Sequence, residues 1–186
     1  MRLLSINLKL VVAAAFVTLM CGVGSVNASD RLTDLLAELK SAEAIEAVKI
    51  TKEIRLEWEK SGSAAADLLL RRGRDAVETG DFDAAIEHFS ALVDHAPEFA
   101  EGWVARASAF VQIGLLGPAV SDLEQALELN PMHFEAINGL GVILEMIDRP
   151  EEAYEAYLLV MAIHPTHPVV TQALQRLEPM AKGQKL

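Results

Sequence analysis

The sequence predicts an all-α solenoid: three helix–turn–helix units stacked into a superhelix, a helical cap before them and one capping helix after. Three observations predict it. Proline returns every 34 residues, at Pro97, Pro131 and Pro165. Five further registers keep step over the same units: Gly73, Ala107 and Gly141; Ala85, Ala119 and Ala153; Phe89, Leu123 and Tyr157; Gly80, Gly114 and Asp148; Phe82, Leu116 and Pro150. Within a unit the apolar residues recur at three- and four-residue steps, the rhythm of a helix face and not of a strand.

The chain opens with a basic start, Arg2 and Lys9, then an apolar run from Leu10 to Val23, then Val26 and Ala28 as small residues three before and one before a cut. This is the layout of a secretory signal peptide over residues 1–28, removed after Ala28. The alternative is an uncleaved inner-membrane anchor, with the rest of the chain facing the periplasm. Gly22, Gly24, Ser25 and Asn27 make that run a poor span. Either way the chain is expected to be exported, into the periplasm of a bacterial-type envelope. Cys21 falls inside the leader, so the exported part carries no cysteine and must be held together by its core.

Residues 29–62 read as an N-terminal helical cap of two helices. Leu32, Leu35, Leu36 and Leu39 share one face; Ala44, Ile45, Val48, Ile54 and Trp58 form the other apolar side, and Ser61-Gly62-Ser63 breaks the chain. The 34-residue registers fail here, although a degenerate fourth repeat remains an alternative. Trp58 is expected as a core anchor.

The three units are bounded at 63–97, 98–131 and 132–165. In the first, Leu69, Gly73, Ala76 and Val77 mark one helix; Phe82, Ala85, Ile86, Phe89, Leu92 and Val93 mark a second. Between them Gly80 ends a helix and Asp81 begins one. Proline then stops the pair and opens the next. Small residues in the Gly73 and Ala85 registers let paired helices come close, and the large Phe89 register fills the space between neighbours. Residues 166–182 read as a capping helix with Val169, Val170, Ala173, Leu174 and Leu177 on its apolar face. Residues 183–186 are a tail.

Charge and motif content narrow the function. The net charge is −11, and loss of Arg2 and Lys9 with the leader makes it more negative. That argues against nucleic acid and against anionic lipid. Membrane contact is expected only if the leader stays uncleaved. No G-x-S-x-G, H-E-x-x-H or phosphate-binding glycine loop occurs, so no enzyme, cofactor or small-molecule substrate is expected. His88, His95, His133, His164 and His167 raise a metal reading, with His164 and His167 converging in a turn. With no thiol and no acid at ligand spacing, these are expected to be solvated turn histidines.

The small residue, alanine, aromatic and proline of each unit resemble the tetratricopeptide repeat family. They stand as Gly73, Ala85, Phe89 and Pro97; as Ala107, Ala119, Leu123 and Pro131, with Trp103 in the family's tryptophan position; and as Gly141, Ala153, Tyr157 and Pro165. Leu123 and Leu92 depart from the pattern, and one unit alone has the tryptophan. The resemblance implies that the first helix of each pair lines a concave groove holding segments of other proteins. By repeat phase that groove takes Leu70, Arg71 and Arg74 from unit one. Unit two supplies Glu101, Val104, Ser108 and Val111, and unit three Asn138, Val142 and Met146. A carboxylate clamp is not supported, because the basic residues Arg71 and Arg74 lie in one unit. The expected partner is a protein or peptide segment with apolar anchors and some positive charge. The expected role is a non-catalytic interaction module or scaffold. One alternative is a structural or assembly component acting through its outer surface or N-terminal cap; a weaker one is a metal-binding protein using turn histidines.

Overall fold

The computed structural model describes residues 28–181 and 183. The leader expected over 1–28 lies outside them save Ala28, and the tail over 183–186 save Gly183. Among the described residues there are nine helices and no strand: α1 (Ala28–Leu39), α2 (Ala44–Trp58), α3 (Ala64–Glu78), α4 (Phe82–His95), α5 (Ala100–Gln112), α6 (Leu116–Leu129), α7 (Phe134–Met146), α8 (Pro150–Ile163) and α9 (Pro168–Ala181).

Local chemistry starts and stops these helices. Ser63 Oγ accepts from the Ala66 amide ahead of α3, and Asp81 Oδ1 from the Ala84 amide ahead of α4. Each supplies an acceptor for an amide that has no partner inside its own helix. Proline opens α8, where the missing N–H costs nothing. Between the helices of each pair the chain passes through the left-handed region, at Gly80 (φ 77°), Gly114 (φ 75°) and Asp148 (φ 58°). Two units use glycine for that turn. The third uses aspartate, whose short side chain tolerates it.

Helices α3 to α9 each pack on the next in order. The first helices of successive pairs also touch, α3 with α5 and α5 with α7, whereas the second helices pack less closely on each other. The stack therefore curves toward α3, α5 and α7, which form its inner row. One apolar cluster joins Ala66, Leu70, Ala85, Phe89 and Leu92 with Ala109. A larger one runs through the second and third units into α9 and also takes in α1 and α2.

The size pairing inside each unit is tight. A Cβ on Gly73 would lie 2.2 Å from the Phe89 ring, and one on Gly141 would lie 2.5 Å from the Tyr157 ring. Unit two solves the same problem with a larger small residue and a smaller large one, Ala107 and Leu123. We therefore expect Gly141→Ala to cost about 1–3 kcal/mol by overpacking. The double change Gly141→Ala/Tyr157→Leu should recover most of it by copying unit two. Urea unfolding of the four corners of that cycle checks the coupling, and simple additivity would refute it.

The N-terminal hairpin does not extend the stack as another unit. At the backbone α2 packs chiefly on α1. Its side chains reach instead across the inner row. Its buried stripe is Ala47, Ile50, Ile54 and Trp58, whereas Ile45 (84% exposed) and Val48 (69%) face outward. Ile54 and Trp58 are buried as expected from sequence, but Ala44, Ile45 and Val48 are not, because the helix is rotated to present the stripe that meets the repeats. In α9, likewise, Val170, Ala173 and Leu177 are buried while Val169 is turned out.

Candidate functional site

The inner row is built from one helix face repeated three times, so equivalent positions of α3, α5 and α7 stand side by side. Helix α2 lies across it, over the turn after α8 and the start of α7, and the chain just past α2 reaches Arg74 in the second half of α3. Thr51 Oγ1 lies 3.2 Å from His164 Nε2 in the turn between α8 and α9. Arg55 Nε donates to Glu135 at the start of α7. Trp58 stacks on His133, with ring centroids 3.9 Å apart, and lies tilted against Phe134 at 4.9 Å. Glu59, just past α2, accepts from Arg74 of α3 at 2.8 Å. Thus α2 starts over unit three and ends over unit one. A 15-residue helix is about 22 Å long, and three helices at 8–10 Å spacing occupy about that width.

Polar groups beneath α2 are linked. Arg74 Nη2 donates to Glu101 at 2.7 Å. The Glu101 carboxylate also lies 3.2 Å from His133 Nε2. His133 Nδ1 accepts from the Ala136 amide, so Nε2 carries the proton and donates to Glu101. Four buried side-chain atoms among the described residues lack a partner: Trp58 Nε1, Asn138 Oδ1, His164 Nδ1 and Thr166 Oγ1. Trp58 belongs to α2, Asn138 is one turn on from Glu135, and the others lie in the α8–α9 turn. Each such atom costs about 1–3 kcal/mol. A cleft of about 410 Å³ stands at the start of α2, between Val48 and Val169, and one of about 340 Å³ at its end, beside Arg71 and Arg74.

The histidines correct an expectation. His133 (0% exposed) and His164 (4%) are buried, not solvated, because α2 covers the turns that hold them. Burial, with His167 and Arg55 nearby, pushes His164 down to about 4. Burial also lowers His167. The two rings meet edge to face at 5.0 Å. Among the described residues no group of three or more His, Cys, Asp or Glu side chains is gathered as a metal site.

The groove residues expected from sequence divide into two sets. Leu70 (4% exposed) and Val104 (8%) belong to the core, and Asn138 has its Oδ1 buried. Arg74 and Glu101 are half-buried in the ion-paired network under α2, and Arg71 is exposed beside it. Toward the helix ends the inner row stays open. Ser108 is exposed, with its hydroxyl donating to the Val104 carbonyl. Val111 is half-buried against the core, while Val142 (38% exposed) and Met146 (53%) face outward. Glu135, expected by repeat phase to face inward, and His133, raised as a turn histidine, join this site, and Phe134 joins it unforeseen. The signal for Glu135 was the repeat phase itself, which places it in register with Glu101.

The repeat geometry has known relatives. The tetratricopeptide repeat profile matches residues 70–120 and 119–168. A TPR repeat-containing protein of Rhizobium etli is 30% identical over 156 residues, 83% of this chain and 76% of that protein. The chain belongs to the tetratricopeptide repeat family. Small glutamine-rich tetratricopeptide repeat-containing protein 2 of Mycosarcoma maydis is 32% identical over 60% of this chain, which spans only 32% of that relative. Among solved structures, the first TPR of Spaghetti (RPAP3), bound to an HSP90 peptide, superposes with a TM-score of 0.62. It is 25% identical, covering 65% of this chain and 96% of that one. MamA superposes with a TM-score of 0.59 at 25% identity, over 63% of this chain and 68% of that one. TPR domains mediate protein–protein interactions, and the fold here is the all-α solenoid of helical repeats that the family shares.

Proposed function

We propose that this chain is a non-catalytic protein-interaction module of the cell envelope that takes a partner segment along its inner face. The observation that carries the reading is the open end of the inner row. Val142 and Met146 are solvent-exposed apolar side chains there, beside exposed Ser108 and half-buried Val111. A flexible methionine suits adaptable contact, and the acidic balance of the chain favours a partner with positive charge. A solved relative carries a peptide of another protein, which supports a segment rather than a folded domain as the ligand here. The envelope location rests on the leader pattern of residues 1–28. Among the described residues no helix is long and apolar enough to cross a membrane.

The test is capture of partner from the native envelope by the tagged chain. Val142→Glu with Met146→Glu should reduce capture at least tenfold while the melting temperature stays within a few degrees of wild type. Both side chains are exposed, so the core is spared. Undiminished capture would refute the inner-face assignment. A periplasmic or membrane fraction free of the protein would refute the location.

A further inference from the structure

We propose that the α1–α2 hairpin is a built-in occupant of the inner face, and that the partner which replaces it is an amphipathic helix bearing α2's own pattern, an apolar stripe with a positive side chain one turn before an aromatic one. The proposal rests on the inner-face reading above and adds the shape and chemistry of the ligand. A helix already lies there, crossing from unit three to unit one, and its contacts spell out what the face accepts. Ile50, Ile54 and Trp58 form an apolar stripe, and Trp58 seats on the His133 ring. Arg55 answers Glu135.

Charge sets one requirement, a positive side chain opposite Glu135. If the hairpin leaves, Arg74 loses Glu59 but keeps Glu101 as a partner, whereas Glu135 loses Arg55. The vacated face is then short of positive charge opposite α7. An incoming helix that places Lys or Arg there, one turn before an aromatic side chain, replaces both contacts.

The seating of α2 is also imperfect, which is what a replaceable occupant requires. Of the four buried unpartnered atoms, Trp58 Nε1 belongs to α2, and His164 Nδ1 and Thr166 Oγ1 lie in the turn that α2 covers. A cleft stands at each end of α2. Its ion pairs to the repeats run through exposed Arg55 and half-buried Arg74, both within reach of solvent and salt. The tether is short and jointed: Ser61-Gly62-Ser63, with Gly62 at φ 74°. Since α2 packs closely on α1 through the Leu35 and Leu39 side, the hairpin leaves as one piece.

The probe is a fluorescein-labelled peptide of residues 43–60, titrated into the whole chain. Wild type should bind it weakly because the site is filled. The chain carrying Arg55→Ala and Trp58→Ala, with its own helix loosened, should bind at least tenfold more tightly. Adding Glu135→Arg to that variant should remove the gain. In unliganded wild type, hydrogen exchange should show α1 and α2 amides opening at least a hundredfold more often than those of α5 to α8. Equal peptide affinity in wild type and the loosened variant, or α2 amides as protected as those of α7, would overturn the built-in occupant. If α2 opens yet the loosened variant takes no peptide, the covered part of the inner face is not a helix receptor and this proposal falls, while capture by the Val142→Glu/Met146→Glu variant still decides the functional reading. A dimer formed by exchange of hairpins would overturn the assignment to a foreign helix.

Discussion

Asp122→Ala should destabilise the protein by about 3 kcal/mol, more than any surface change in the repeats. Asp122 is 4% exposed on α6 and accepts a two-pronged contact from Arg106 of α5, at 2.7 and 2.8 Å. The same guanidinium donates to Ser90 of α4 at 3.3 Å and lies 5.1 Å from the centre of the Trp103 ring. One side chain thus ties the second helix of unit one to both helices of unit two. Removing the carboxylate leaves a half-buried cation without its counterion. The neighbouring ring faces and the remaining solvent access keep the loss toward the lower end of the range for buried pairs. Asp122→Asn should fall between, since it keeps an acceptor and loses the charge. Replacing both partners, Arg106→Met with Asp122→Leu, should recover most of the loss by removing the orphaned charge. Urea unfolding midpoints of these variants decide it, and a loss below about 1 kcal/mol for Asp122→Ala would show that the pair is solvated.

Asp122 also shows where sequence reading stops. Its equivalents one unit back and one unit on are His88 and Ala156. A device used once leaves no periodic trace, and a lone acid on a helix reads as a solvated one. The repeat itself was legible because the same packing problem is solved three times. The Gly73, Phe89 and Gly80 registers each carry a steric demand that survives in the residue type. The hairpin was legible as two helices but not in its place. Apolar side chains stand on two sides of α2, one through Ile45 and Val48 and one through Ile50 and Ile54. Amphipathicity says that a face is buried, not what buries it. Covering the inner row with α2 then buried His133, His164 and part of the expected groove together. Val142 and Met146 stayed open because α2 crosses the opposite end of α7.

Acid should weaken the docked hairpin before it affects the repeats. His164 is held near 4 by burial, against an ordinary value of 6.5. Above pH 6.5 the imidazole is neutral in both folded and unfolded chains, and the stability it governs is fully present. As pH falls from 6.5 toward 4 the unfolded chain takes up a proton that the folded one refuses, so stability drops. Below about 4 both forms are protonated and the loss is complete, at about 3 kcal/mol for a shift of this size. His167, also lowered by burial, adds in the same direction, with Glu135 opposing. Glu145 and Glu57, held low by Arg176 and by Lys60 respectively, contribute stability that disappears only in the carboxylate range, from about pH 4.5 downward. Glu124, raised by burial and by neighbouring Glu128, works the other way. Between pH 6.5 and 4.5 the two histidines in the turn that α2 covers therefore lower stability as acid is added, with Glu124 on α6 opposing them. Hydrogen exchange of α2 should quicken across this interval while that of α5 and α6 stays level. His164→Gln, which keeps a side chain able to bond Thr51 but cannot take up a proton, should flatten most of the change. An α2 whose exchange is insensitive to pH in this interval, or a His164 ring that titrates near 6.5 by NMR, would show that the turn is not sealed by the hairpin.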